Sequence, residues 1–208
     1  MKRETLRLYA VTDQSWLGGN SLSWQVEQAL RGGASFVQLR EKNLDDESML
    51  AEARELKTLC ETWDVPFVIN DRVHIALAVD ADGVHVGQED MAVREARQLL
   101  GPGKIVGATC KTVEQALQAQ ADGADYIGSG AMFPSIAKPD AADISRETLR
   151  EICAAVEIPV VAIGGISEEN LTSLAGTGIA GVAVVSALFA QRDIETAARR
   201  LRALTETL

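Results

Sequence analysis

Aromatic residues are scarce. Three Trp, two Tyr and four Phe make up 4% of 208 residues. Packing is therefore expected to fall to Ala, Val, Leu and Ile, with Trp24 and Trp63 as packing residues and Trp16 also placed as a loop lid. Histidine is scarcer still. With His74 and His85 alone, a His-rich metal centre is excluded. Any metal would be held by carboxylates, which favours Mg2+ or Mn2+. The three cysteines, Cys60, Cys110 and Cys153, are odd in number, far apart and form no C-x-x-C pair. That suits free thiols in a reducing compartment better than a disulfide framework or a zinc site. No run of 18 apolar residues exists, so no membrane span is expected. Met1–Leu6 lacks the apolar core of a signal peptide, and a cytoplasmic location is the expectation. Cations are outnumbered: 20 Lys and Arg against 30 Asp and Glu give a formal charge of −10. This balance argues against nucleic-acid or anionic-membrane partners, which need basic surface. It leaves open an anionic small molecule, provided positive charge is gathered in one place.

What is abundant is alternation. Short apolar runs at Leu6–Val11, Ser35–Leu39, Phe67–Ile69, Gly83–Val86, Ile105–Ala108, Tyr126–Gly128, Val160–Ile163 and Gly181–Val185 read as strands. Each precedes an amphipathic stretch: Ser23–Arg31, Glu47–Trp63, Val73–Val79, Val93–Leu100, Val113–Ala121, Arg146–Val156, Glu168–Ala175 and Ile194–Thr205. Thr112-x-x-Gln115 reads as a capping box. Alternation of this kind means parallel strands joined by crossover helices. Eight units predict an α/β fold, a single-domain (β/α)8 barrel over residues 1–208. A doubly wound open sheet is the competitor, and it usually has fewer strands.

In such a barrel, chemistry sits where strands end. Strand 2 runs into Gln38-Leu39-Arg40-Glu41-Lys42, strand 3 into Asn70-Asp71-Arg72, and strand 4 into His85 through Asp90. Strand 5 ends at Thr109-Cys110-Lys111. Strand 6 leads to a loop with Ser135 and Lys138, strand 7 to Gly164-Gly165, and strand 8 to Val185-Ser186. No comparable set is expected at the opposite rim. Gln38, Arg40 and Lys42 alternate, so they share one side of an extended chain and suit a polyanion. Taken alone, they are equally a set of surface charges. Asp71 follows strand 3, and Asp90 or Glu89 follows strand 4. Two carboxylates about 4 Å apart repel by roughly 4 kcal/mol at an effective dielectric of 20. Such a pair needs a cation or a shared proton. The competing reading pairs Asp71 with Arg72 or makes it a helix cap. Gly164-Gly165 and Ser186 occupy positions where many barrels bind phosphate through backbone N–H groups. Two anion sites are thus expected at one rim, with Lys138 in reach of either. Cys60 and Cys153 fall in helices and read as core. Cys110 has no histidine in its segment to activate it, and His85 reads as structural.

Several of these runs together resemble the thiamine phosphate synthase family: Tyr9-Ala10-Val11-Thr12-Asp13, Gln38-Leu39-Arg40-Glu41-Lys42, Asn70-Asp71-Arg72, Val84 to Asp90, Phe133-Pro134, Ile163-Gly164-Gly165-Ile166 and Val184-Val185-Ser186. The match runs in order over nearly the whole chain. It implies a TIM barrel that joins 4-amino-2-methyl-5-hydroxymethylpyrimidine diphosphate to thiazole phosphate, or to its carboxylated form with loss of CO2. The products would be thiamine phosphate and pyrophosphate. By position, the resemblance implies that Gln38, Arg40 and Lys42 hold the pyrophosphate and that Asn70 touches the pyrimidine or its diphosphate. Lys138 would contact the diphosphate. It places Gly165, Val185 and Ser186 at the thiazole phosphate. Leu39, Glu41, Thr109, Ser135 and Ala137 complete the expected substrate-binding positions. The resemblance implies Mg2+ as cofactor on Asp71 and Asp90, which selects Asp90 over Glu89. Arg40, Lys42 and Lys138 would stabilise the leaving group. Expected partners are the two small molecules, together with a possible second copy of the chain. This chain departs from the usual pattern at Thr109, where the family usually has Ser, at Ser135 and Ala137, where it usually has Thr, and at Ile144-Ser145, which lack the usual Gly. A thiazole tautomerase-like enzyme and a non-catalytic thiamine-related barrel are the alternatives. Retention of Gln38, Arg40, Lys42, Asp71 and Asp90 favours the synthase.

Overall fold

A computed structural model describes residues 1–134 and 144–208. Among the described residues, eight parallel strands pair in chain order and the last returns to the first, closing a barrel. They are β1 (Leu8–Val11), β2 (Phe36–Leu39), β3 (Phe67–Asn70), β4 (Gly83–Val86), β5 (Ile105–Thr109), β6 (Tyr126–Ser129), β7 (Val160–Ile163) and β8 (Gly181–Val184). Closure excludes the open doubly wound sheet. The helices are α1 (Leu22–Arg31), α2 (Asp46–Thr62), α3 (Val73–Ala78), α4 (Val93–Leu100), α5 (Val113–Ala121), α6 (Arg146–Ala155), α7 (Ser186–Phe189) and α8 (Ile194–Leu204). Ser21, Asp45, Thr112, Ser145 and Asp193 each accept the backbone N–H three residues on, at the starts of α1, α2, α5, α6 and α8. These caps fix where the helices begin. At α5 the return arm of the expected capping box is shifted by one residue: Gln115 Oε1 accepts from Lys111 N at 2.7 Å.

Two apolar layers arise from strand alternation. Val37, Leu39, Ile69, Val84, Val86 and Ile127 face outward and pack with helix residues such as Met49, Leu56, Leu149 and Leu201. Tyr9, Val11, Phe36, Val68, Tyr126, Val161 and Ala183 fill the barrel. The aliphatic packing expected from composition holds for the outer layer and for most of the interior. Three of the few aromatics join it inside the barrel. Tyr9, Phe36 and Tyr126 meet edge to face with ring centroids 4.6 to 5.9 Å apart. Trp24 and Trp63 are not core residues, being 40% and 38% exposed. Trp16 packs partly buried against the outer layer.

The seventh unit differs from expectation. In place of a helix over Glu168–Ala175 there is a single 3-10 turn, Leu171–Leu174. Asn170 is the physical reason: its side chain accepts from Ser167 N and donates to Gly165 O, both at 2.9 Å, tying the segment as a loop. The short α7 directly after β8 has no counterpart in the periodicity, because four residues are too few to show one. The opposite rim also carries charge, contrary to expectation. Asp82 and Asp125 there accept the backbone N–H of Phe67 and Val106, both at 2.8 Å, and Asp125 pairs with Arg97. These groups are engaged with the frame itself.

Gly107 on β5 is required by the interior aromatics. A Cβ there would lie 2.2 Å from Cζ of Tyr126. Overpacking of a core costs about 1–3 kcal/mol. Gly107→Ala should destabilise the barrel by at least that amount. An unchanged urea midpoint would contradict this packing.

Candidate active site

The C-terminal ends of β2, β3 and β4 are neighbours, with Gln38 beside Val68 and Asn70 beside His85 in register. Gln38 is buried, and its side-chain amide N–H donates inward to the Tyr9 hydroxyl. Thr12, fully buried after β1, organises the segment beyond β2. Its Oγ1 accepts from Arg40 N at 2.9 Å and donates to Glu41 Oε1 at 3.1 Å. Arg40 is partly buried and Lys42 is exposed.

Asp71 sits just past β3 with φ of +61°, in the left-handed region that Asp tolerates better than most residues. Its N–H donates to His85 O at 2.9 Å, and its Oδ2 accepts from Asn70 Nδ2 at 2.5 Å. Asp90 Oδ2 accepts from Gly87 N at 2.8 Å. Asp71 and Asp90 meet carboxyl to carboxyl. Burial, then the hydrogen bond and repulsion from Asp90, push Asp71 up to about 6, while Lys42 and Arg40 pull the other way. The competing assignment for Asp71 does not occur: Arg72 pairs with Asp46 at 3.0 Å and itself precedes α3 as the cap residue. Two abutting oxygen-only groups, one partly buried, need a shared proton or a hard cation. The donor set fits Mg2+, which typically takes one or two carboxylates and completes its shell with water and substrate phosphates. Among the described residues no group of three or more His, Cys, Asp or Glu forms a metal cluster.

Across the rim, Gly164 and Gly165 follow β7 with φ of +95° and +64°. A Cβ on Gly165 would meet Pro134 O at 2.4 Å, so only glycine fits. Val185 turns the chain out of β8, and Ser186 opens α7. Between the two sets, Thr109 Oγ1 lies 2.9 Å from His85 Nε2.

The structure therefore gathers Gln38, Arg40, Lys42, Asn70, Asp71 and Asp90 on one side of the rim. Gly165, Val185 and Ser186 lie on the other. Leu39 differs: its side chain is fully buried in the layer between barrel and helices. The Glu41 carboxylate is turned to Thr12, which hydrogen-bonds it. Ser135, Ala137 and Lys138 lie outside the described residues. Cys110 is buried, and burial pushes its thiol up to about 12, as suits packing rather than attack. His85 is structural in the sense expected: it is buried, and desolvation lowers it to about 4, so it stays neutral. A groove of about 590 Å3 between α1 and α2, lined by Trp24 and Leu59, belongs to the helix layer and lies apart from the rim.

Sequence reasoning missed Thr12 as an organiser and the polar tips of Tyr9 and Tyr126 inside the barrel. The available signal was alternation: both tyrosines stand at inward positions of otherwise apolar strands.

A family model described as thiamine monophosphate synthase matches residues 8–188. The chain belongs to this family. It is 45% identical to the thiamine-phosphate synthase of Persephonella marina over 206 residues, 99% of each chain. It is 50% identical to that of Chloroflexus aurantiacus over 199 residues, 95% of this chain and 92% of the other. The solved thiamine phosphate pyrophosphorylase of Pyrococcus furiosus superposes with a TM-score of 0.90 at 41% identity, covering 98% of this chain and 97% of that one. Among the described residues no helix is long and apolar enough to cross a membrane.

One group of this family member's site sets a pH dependence. Burial pushes Glu41 up to about 7, opposed by its bond from Thr12 and reinforced by Glu52 and Asp13. The folded chain then holds a proton at Glu41 that the unfolded chain releases above the ordinary carboxylate range. Between about 4.5 and 7 the native state binds more protons, so this group makes stability fall as pH rises. Glu41→Gln should flatten that slope in urea melts taken across the window. Identical slopes in both proteins would contradict it.

Proposed function

We propose that this thiamine phosphate synthase family member couples 4-amino-2-methyl-5-hydroxymethylpyrimidine diphosphate to thiazole phosphate, or to its carboxylated form, giving thiamine phosphate and pyrophosphate. The carboxylated substrate also loses CO2. The observation that carries the reading is the pairing on one rim of a cationic and carboxylate cluster with a neutral backbone and hydroxyl cluster. Two phosphorylated substrates need two anion sites that do not compete.

In the reaction, the bond from the pyrimidine methylene carbon to the diphosphate oxygen breaks. A bond from the thiazole nitrogen to that carbon forms. The aminopyrimidine is electron-rich, so positive charge can build on the carbon while the leaving group departs. The attacking nitrogen carries no proton to lose, and no general base is needed. This accounts for a site whose nearest histidine is buried and neutral. Arg40 and Lys42 face the negative charge that builds on the departing pyrophosphate. Lys138 is proposed beside them. Gln38 and Asn70 orient the pyrimidine and its diphosphate. Gly165 offers backbone without a side chain in the way, and Ser186 a hydroxyl and the start of a helix, to the thiazole phosphate. Thr109 stands between the two reactants. Asp71 and Asp90 would hold Mg2+, which supplies charge neutralisation on the pyrophosphate. The site's contribution is holding the nitrogen in line with the carbon while charge separates.

Incubation with both substrates and Mg2+ should yield thiamine phosphate and pyrophosphate in equal amounts. Thiazole tautomerisation without coupling, or binding without turnover, would overturn the assignment. Lys42→Ala and Asp71→Ala should each lower turnover on the order of 100-fold or more while circular dichroism stays native. Near-native turnover at saturating Mg2+ in either variant would remove that residue from the site.

A further inference from the structure

A single chain of hydrogen bonds crosses the barrel interior. It starts at Gln38 on β2, whose Nε2 donates to the Tyr9 hydroxyl on β1. The Tyr9 and Tyr126 hydroxyls lie 2.7 Å apart, joining β1 to β6. The Tyr126 hydroxyl lies 2.9 Å from His85 Nδ1 on β4, and His85 Nε2 lies 2.9 Å from Thr109 Oγ1 on β5. Tyr9, Tyr126 and His85 are buried, with exposures of 1%, 0% and 9%. Their rings are held in place. Gly107 makes room for Tyr126, and a Cβ on Gly128 would lie 3.1 Å from Cε1 of His85.

We propose that Tyr9, Tyr126 and His85 are positioning residues that couple Gln38 to Thr109, so that the orientation of the Gln38 amide decides whether the Thr109 hydroxyl donates to the bound substrate or accepts from it. Proton counting carries the inference. Each hydroxyl has one proton, and a neutral imidazole has one N–H and one acceptor nitrogen. With the Gln38 N–H donating to Tyr9, the Tyr9 proton points to Tyr126 and the Tyr126 proton to His85 Nδ1. The His85 proton then sits on Nε2 and is donated to Thr109. The Thr109 proton is left free to point into the rim. If the group at position 38 accepts instead, every link reverses. Tyr9 donates to it, Tyr126 donates to Tyr9, and His85 carries its proton on Nδ1. Thr109 must then donate to Nε2 and can only accept at the rim. No link can turn alone without two protons facing each other or two lone pairs facing each other, each of which leaves a buried polar group unsatisfied.

The consequence for the reaction rests on the synthase reading above. Gln38 on β2 and Thr109 on β5 stand three strands apart around the rim, and they present one matched donor and acceptor pattern rather than two independent ones. A ring with an acceptor nitrogen and a donor amine is recognised at both ends or at neither.

The test reads the His85 tautomer by 15N NMR of protein labelled at histidine, at pH 8. His74, the only other histidine, is exposed on α3 and is assigned by His74→Gln. In the unaltered chain the His85 proton should be on Nε2; a proton on Nδ1 would overturn the proposed direction. In Gln38→Glu, whose carboxylate only accepts, the proton should move to Nδ1, although position 38 touches neither ring nitrogen. An unchanged tautomer would overturn the coupling. In Tyr126→Phe the chain is cut, so adding Gln38→Glu should leave the tautomer as it is in Tyr126→Phe alone. A shift there would mean that the carboxylate's field acts directly, and would overturn the chain as the carrier. A tautomer that switches in a protein making no thiamine phosphate supports the chain and contradicts only the reading of the reaction.

Discussion

Barrel closure is the constraint on which the other features depend. Eight parallel strands joined without an edge send every strand end of one polarity to the same rim. Residues far apart in sequence, such as Arg40, Asp71, Asp90, Gly165 and Ser186, reach one face for this reason alone. Closure also forces every second side chain into a space without water. The barrel fills that space with Tyr9, Phe36 and Tyr126, and the lack of a side chain at Gly107 makes their packing possible. Because two of these rings end in hydroxyls, the interior is both apolar filling and a hydrogen-bonded connection to the rim.

The two ends of the barrel use charge differently. At the lower rim Asp82 and Asp125 accept backbone N–H groups, and Lys57 and Arg97 pair with them at the ends of long side chains. Those carboxylates are satisfied. At the upper rim Asp71 is raised by burial and then by its neighbour Asp90, while Lys42 and Arg40 pull the other way. A carboxylate pair held in this way is arranged to share a proton or a hard cation. The net charge of −10 is thus a property of the whole surface. It is compatible with anionic substrates because Arg40 and Lys42 gather positive charge beside the carboxylate pair.

How much of this was legible in sequence depended on length and on alternation. All eight strands appear within two residues of where apolar runs and flanking glycines placed them, since a parallel strand buried on both faces reads as one uninterrupted run. Long amphipathic helices such as α2 and α5 were equally plain. The seventh unit was not, because one side chain, Asn170, outweighs a weak helical pattern. Nor was α7, which is too short to have a period. The rim residues were legible as polar groups after strands, although Leu39, inside the same motif, turns to the helix layer. The interior chain was hidden for a different reason. Tyr9 and Tyr126 stand in strands that look apolar on both faces, and only register brings their hydroxyls together with His85.

In the proposed reaction the Asp71–Asp90 pair is completed by a divalent cation that arrives with a diphosphate. Binding of pyrophosphate, measured by calorimetry over a series of Mg2+ concentrations, tests this most directly, because coupling between two ligands is reciprocal. Pyrophosphate affinity should rise with Mg2+ in the native chain, and Asp71→Asn should lose most of this dependence. Pyrophosphate affinity indifferent to Mg2+, or an Asp71→Asn variant with the full Mg2+ dependence, would contradict it.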